Sequence, residues 1–145
     1  MPIPPNELLQ NDVVKAALKS AWDDSSPGIT GGHEEGGFIL QNPGRKISIQ
    51  RWPLGKQNQI AVPLHPDCRM GENDILASFH THPNTGRNFL QEPSVTDRRA
   101  VRDDPNLKGS LYVGEYVIAA NAIHLIRPDG DVSVLGSREK LLEAN

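Results

Sequence analysis

Two histidines, His80 and His82, stand two apart in Ser78-Phe79-His80-Thr81-His82-Pro83, and a carboxylate, Asp97, follows in Pro93-Ser94-Val95-Thr96-Asp97. On a strand, histidines at that spacing share a face, because side chains alternate with a period of two. A carboxylate from the next element then completes a set of two nitrogens and one oxygen, with one coordination position left open. Zinc held in this way activates water, whereas zinc that only staples a fold has four protein ligands. The expected chemistry is metal-assisted hydrolysis. Singly, each part has a plainer reading. A His-x-His pair is usually structural or exposed, and Ser94-x-x-Asp97 is also a helix start, with Asp97 near the positive end of the helix dipole. The combination changes this, because a strand, a loop and a helix start together supply all three ligands from two rigid elements.

Those elements belong to a longer alternation of helices and strands. A helix is expected over 6–22, capped by Asn6, with Leu8, Leu9, Val13, Val14, Ala17, Leu18, Ala21 and Trp22 largely on one stripe. The Ser-, Gly- and Pro-containing stretch 23–32 ends it. Strands are expected over 37–41 and 46–52 around the turn Asn42-Pro43-Gly44-Arg45, then over 59–63 and 75–82. After the loop 83–93 comes a helix over 94–103, stopped by Pro105. Short strands follow over 111–114, 116–120, 122–127 and 132–135, with Pro128-Asp129-Gly130-Asp131 as a turn between the last two. Ser137 caps a closing helix through Leu142. Nothing in this pattern marks a boundary, so one mixed α/β domain over 1–145 is expected.

Composition agrees with a packed chain. The 145 residues are 37% hydrophobic and 23% charged, enough for a sizeable core and unlike a disordered segment. A net charge of −3 gives no electrostatic case for nucleic acid or an anionic membrane as partner. Arg98, Arg99 and Arg102 alternate with Asp97, Asp103 and Asp104, which reads as a solvated helix face. The single cysteine, Cys68, excludes an internal disulfide and a Cys-rich structural zinc site. The N-terminal residues lack the basic and apolar regions of a signal peptide, and no apolar run nears the ~20 residues a membrane span needs. A cytoplasmic location is expected.

The chain resembles the JAB/MPN family, in particular its metalloprotease branch, often called JAMM. The resemblance rests on His80 and His82, on Ser94 and Asp97, and on Glu34-Glu35-Gly36-Gly37-Phe38-Ile39-Leu40, which matches that family's upstream Glu-x-x-Gly-hydrophobic pattern. It runs from about Glu34 to Asp97, and the later elements are compatible with the family fold. It implies a mixed β-sheet flanked by helices, like that of cytidine deaminases, with His80, His82 and Asp97 as ligands to one zinc ion. It implies further that Glu34 is the general base and that Ser94 donates a hydrogen bond to the oxyanion. Register favours Glu34 over Glu35 if the strand begins near Gly37. The implied activity is that of a zinc peptidase or isopeptidase, with a protein or peptide substrate and the C-terminus of a ubiquitin-like conjugate as a candidate bond. The compact length looks more like prokaryotic-type members. Eleven residues separate His82 from Ser94, more than the family commonly has, and this longer loop borders the expected cleft.

A different class of function is a metal-free MPN-type scaffold that binds partners, although such members typically lack one or more ligands. A zinc deaminase needs His-x-Glu and Pro-Cys-x-x-Cys, which are absent. A two-metal nuclease needs a second carboxylate cluster that the sequence does not offer. His33, His65 and His124 read as structural or exposed, and Cys68 has no sequence neighbour that suggests a nucleophile. Trp22 and Trp52 read as packing residues.

Overall fold

A computed structural model describes residues 2–57, 59–87 and 89–143. The chain begins with two helices rather than one. In α1 (Pro5–Leu9) a proline fills the first turn, where its missing N–H is no loss. In α2 (Asp12–Asp24) the cap is Asn11, whose Oδ1 accepts from the N–H groups of Val13 and Val14 at 2.9 and 3.2 Å. The expected Asn6 cap is therefore corrected to Asn11. The break lets Leu8 and Leu9 turn inward beside Val14, Leu18, Ala21 and Trp22, all buried in one cluster.

Among the described residues, one seven-stranded sheet receives this layer. Its order is β2 (Ile47–Arg51), β1 (Gly36–Gln41), β4 (Asn73–His82), β5 (Glu115–Ala119), β6 (Ile123–Ile126), β7 (Val132–Gly136), with β3 (Arg69–Met70) pairing β4 off this path. β1 and β2 form an antiparallel hairpin, and β5, β6 and β7 an antiparallel meander. β4 and β5 are parallel, so the chain crosses between them, and α3 (Val95–Arg102) lies in that crossover. A short α4 (Arg138–Leu141), capped by Ser137, closes the fold. The mixed α/β class is as expected, and among the described residues no helix is long and apolar enough to cross a membrane.

Apolar residues collect on both faces of the sheet. Ile39, Phe79, Tyr116, Ile118, Ile123 and Leu125 pack with the α1–α2 layer, whereas Phe38, Leu40, Val117 and Ile126 pack with Val101 of α3 and with Leu107. Fully burying each such side chain is worth about 1.5–3 kcal/mol.

A register shift in the β1–β4 ladder decides which way the histidines face. Ile39 pairs with Ala77 but Leu40 with Ile75, which leaves Leu76 as the extra residue of a bulge. Ile75 belongs to the α3-side cluster and both Leu76 and Ala77 to the other. The bulge thus resets the alternation and turns Ser78, His80 and His82 toward α3.

Two expected strands do not form. The 59–63 segment is irregular, since Pro63 has no N–H to offer a ladder and Lys56 N–H turns back onto the Gln59 carbonyl at 2.7 Å. Ile60 still packs on the α3-side cluster. The 111–114 segment runs beside β4 without becoming a strand: Val113 N–H reaches the Leu76 carbonyl at 2.9 Å, and the Gly114 carbonyl accepts from Ser78 N–H at 3.1 Å.

Candidate metal and catalytic site

β4 and the first turn of α3 bring His80, His82 and Asp97 together, and one ligand atom from each lies within 4.8 Å of the others. His80 and His82 are buried, and their Nε2 atoms are 3.2 Å apart. Asp97 Oδ2 is 3.1 Å from His82 Nε2, and Oδ1 is 3.5 Å from His80 Nε2. Two imidazole nitrogens so close to each other and to a carboxylate form a donor set that suits a single zinc-sized cation. His80 Nδ1 is already taken by the Glu115 carboxylate at 2.7 Å, so Nε2 is the nitrogen free to serve. His82 Nδ1 is buried with no hydrogen-bond partner among the described residues, so that ring is held by packing and by its Nε2 contact with Asp97.

Asp97 also builds the helix that presents it. Ser94 is the N-cap of α3: its Oγ accepts from Asp97 N–H at 3.0 Å, and Asp97 Oδ2 accepts from Ser94 N–H at 2.8 Å. The helix-start reading and the ligand reading of Ser94-x-x-Asp97 therefore describe the same geometry. The capping box leaves the Ser94 O–H free to donate into the cleft. Burial by itself would raise the Asp97 pKa. Hydrogen bonds from His80, His82 and Ser94 overcome it and hold the carboxyl well below the usual range.

Register separates Glu34 from Glu35. Thr81 N–H donates to the Glu35 carbonyl at 2.9 Å, so the β1–β4 ladder continues past its first assigned pair, Gly36 opposite His80. Continued, it sets Glu35 across from Thr81 and Glu34 across from His82, with neighbouring side chains on opposite faces. Glu35 turns away and is held by Arg51 and His33, each at 2.6 Å. Glu34 faces the cleft with Ser94 and Asp97. Burial pushes its pKa up to about 7; His80 opposes this, and the charges of Asp97 and Glu115 add to it. A carboxyl poised there can both take and return a proton near neutral pH.

The cleft has two lobes that meet at Glu34, Ser94 and Asp97. One, of about 270 Å³, is bounded by Gln57, His82 and the 83–93 loop through Pro83, Asn84, Phe89 and Leu90. The other, of about 530 Å³, runs along α3 past Trp52, Ile60, Val62, Ala100 and Leu107. The long loop thus borders the cleft as expected.

No family model, curated protein or solved structure matches the chain.

The other candidates fall into structural roles. His33 bonds Glu35, and His65 bridges Asp104 at 2.6 Å and the Pro63 carbonyl at 2.7 Å. His124 is half-buried on β6, and burial together with the nearby His82 lowers its pKa. Cys68 is buried, and burial pushes its thiol up, away from nucleophilic character. Arg98 donates to the Gly130 carbonyl, and Arg102 pairs with the adjacent Asp103. Trp22 and Trp52 are buried as expected.

Sequence reasoning missed Asn84 and Glu115. The Asn84 side chain bonds both backbone groups of Gly32 and the Gln57 carbonyl, tying three segments together beside the cleft. Nothing in Pro83-Asn84-Thr85 distinguishes it from an ordinary turn. Glu115 left a faint signal, a carboxylate heading the apolar run Tyr116-Val117-Ile118-Ala119.

Proposed function

We propose that this chain is a zinc-dependent peptidase or isopeptidase of the JAB/MPN (JAMM) type, in which His80, His82 and Asp97 hold one ion. The observation that carries the reading is the placement of Glu34. A buried carboxyl whose pKa is pushed up to about 7 lies on the same face as the two histidines, while its neighbour Glu35 is held by an ion pair with Arg51 and a hydrogen bond with His33. A purely structural metal site has no use for such a group. The central mixed sheet with helices on both faces is compatible with the JAB/MPN fold.

When bound, zinc supplies a Lewis acid that makes water nucleophilic at neutral pH. Glu34 takes the proton from the attacking water and returns it to the leaving amine. Ser94 O–H donates to the oxygen that gains charge on the attacked carbonyl. Asp97 stays ionised, and its second role as capping partner fixes its position on the first turn of α3. A substrate chain crosses the site from one lobe of the cleft to the other. The substrate class implied is a peptide or protein conjugate, with a ubiquitin-like C-terminus as the first bond to test.

The test is mass spectrometry of peptide and ubiquitin-like conjugates incubated with wild type, Glu34→Gln and Glu35→Gln, with zinc content measured on the same samples. Wild type is expected to carry one zinc and cleave. Glu34→Gln keeps the metal and loses turnover by about 10²–10⁴-fold, while Glu35→Gln stays within a few-fold of wild type. Near-normal turnover in Glu34→Gln overturns the assignment of the base. A protein that takes up no zinc on reconstitution overturns the enzyme and leaves a metal-free scaffold.

A further inference from the structure

We infer that Glu115 is a positioning residue for the metal site, fixing the ring and the tautomer of His80 through a buried chain of hydrogen bonds from Tyr112 and Ser78. The inference rests on the reading that His80, His82 and Asp97 hold a metal ion. The parallel β4–β5 register sets Glu115 beside Ser78, two residues before His80 and on the same face. Glu115 is buried, and both its oxygens are used: Oε2 lies 2.7 Å from His80 Nδ1 and Oε1 2.8 Å from Ser78 Oγ. Ser78 Oγ in turn lies 2.7 Å from Tyr112 Oη.

The donors in this chain follow from chemistry. An ionised carboxylate can only accept, so Ser78 O–H and His80 Nδ1–H must both donate to it. With its proton committed to Glu115, Ser78 Oγ accepts from Tyr112 O–H. A neutral His80 then carries its lone pair on Nε2, the atom that faces His82 and Asp97. Metal-ligating histidines ordinarily have such a partner on the other nitrogen, and it raises the basicity of the ligand. His82 has none among the described residues, which concentrates the orienting role on Glu115. The position is costly to keep: Glu115 pairs with Ile126 across the β5–β6 ladder and shares a face with Val117, where a well-packed apolar residue often costs the fold less than a buried carboxylate. Backbone shape serves the same end. Gly114, just before Glu115, has φ +129°, and a Cβ there would strike the Ile126 carbonyl oxygen, so only glycine lets the chain enter β5 at this register.

The experiment measures zinc affinity by competition with a chromophoric chelator, the visible spectrum of the cobalt-loaded protein, and the melting temperature of the metal-free protein. It compares wild type, Glu115→Gln, Ser78→Ala and, as a destabilised control at a distance, Leu18→Ala. Glu115→Gln is expected to bind zinc roughly 10–100-fold more weakly and to shift the cobalt spectrum, with Ser78→Ala between it and wild type. Leu18→Ala is expected to melt earlier with zinc affinity and spectrum unchanged. If Glu115→Gln, or Ser78→Ala should the former not fold, binds zinc with wild-type affinity and an unchanged cobalt spectrum, the inference is wrong. A folded wild type that binds neither ion overturns the metal-site reading and this inference with it.

Discussion

At the scale of single residues, Ser94 caps α3 and has a second, proposed job in the chemistry, and substitution can separate the two. Its Oγ accepts the Asp97 amide and caps α3, and its O–H faces the cleft. Alanine removes both functions. Glycine removes only the hydroxyl, because it caps a helix within a few tenths of a kcal/mol of serine. Ser94→Ala is therefore expected to lower unfolding free energy by about 1 kcal/mol and turnover by about 10²–10³-fold. Ser94→Gly is expected to recover most of the stability and none of the turnover. Urea denaturation and steady-state kinetics on the same preparations check both, and recovery of turnover in the glycine variant would remove Ser94 from the chemistry. The placement of Ser94 and Asp97 at a helix start was legible from the sequence because side-chain type and spacing carried it. Glu115 showed only as a carboxylate heading an apolar run, since its significance depends on which strand lies beside β4, and a parallel pairing reached through a crossover cannot be read from local sequence.

At the scale of elements, the site depends on how closely β1 approaches β4. Gly36 lies opposite His80, and a Cβ there would sit 2.5 Å from the Trp52 ring and 2.6 Å from the Phe79 carbonyl oxygen. Gly36→Ala must push β1 away from β4 or displace the indole, at a cost of about 1–3 kcal/mol. The strand that moves carries Glu34 but none of His80, His82 and Asp97. Turnover is expected to fall by about 10²-fold, the usual cost of a misplacement of about 1 Å, while zinc affinity changes by no more than a few-fold. Parallel zinc titration and kinetics test this; an equal loss of both would mean that β1 supports the ion itself. The strands and helices here were readable where periodicity and capping agreed, as for β4 and α3. The reading failed where long-range pairing decided. The 59–63 segment has strand composition but pairs with no strand among the described residues, and the bulge at Leu76, which turns the histidines toward α3, arises from the ladder with β1 and not from any residue type.

At the scale of the whole molecule, the site costs the fold stability that metal-free measurements can expose. Glu34 has its pKa raised from 4.5 to about 7, chiefly by burial. Between those values the folded state holds a proton that the unfolded chain releases, so stability falls as pH rises through that window. The loss amounts to about 3 kcal/mol above pH 7. Glu34→Gln has no such proton to lose. In the presence of chelator it is expected to be more stable than wild type at pH 8, with the difference vanishing below pH 4.5, as followed by urea denaturation across pH. A constant difference would show that Glu34 is solvated in the metal-free protein. The placement of the groups along the chain has a consequence of another kind. His80, His82, Asp97 and Glu115 all come from the stretch that runs from β4 through α3 to the first residue of β5, whereas Glu34 arrives from the hairpin at the other side of β4. On the proposed reading, ion holding and proton transfer thus sit on separate stretches of the chain, so that one replacement, at Glu34, removes the proposed base and leaves every proposed ligand and Glu115 in place.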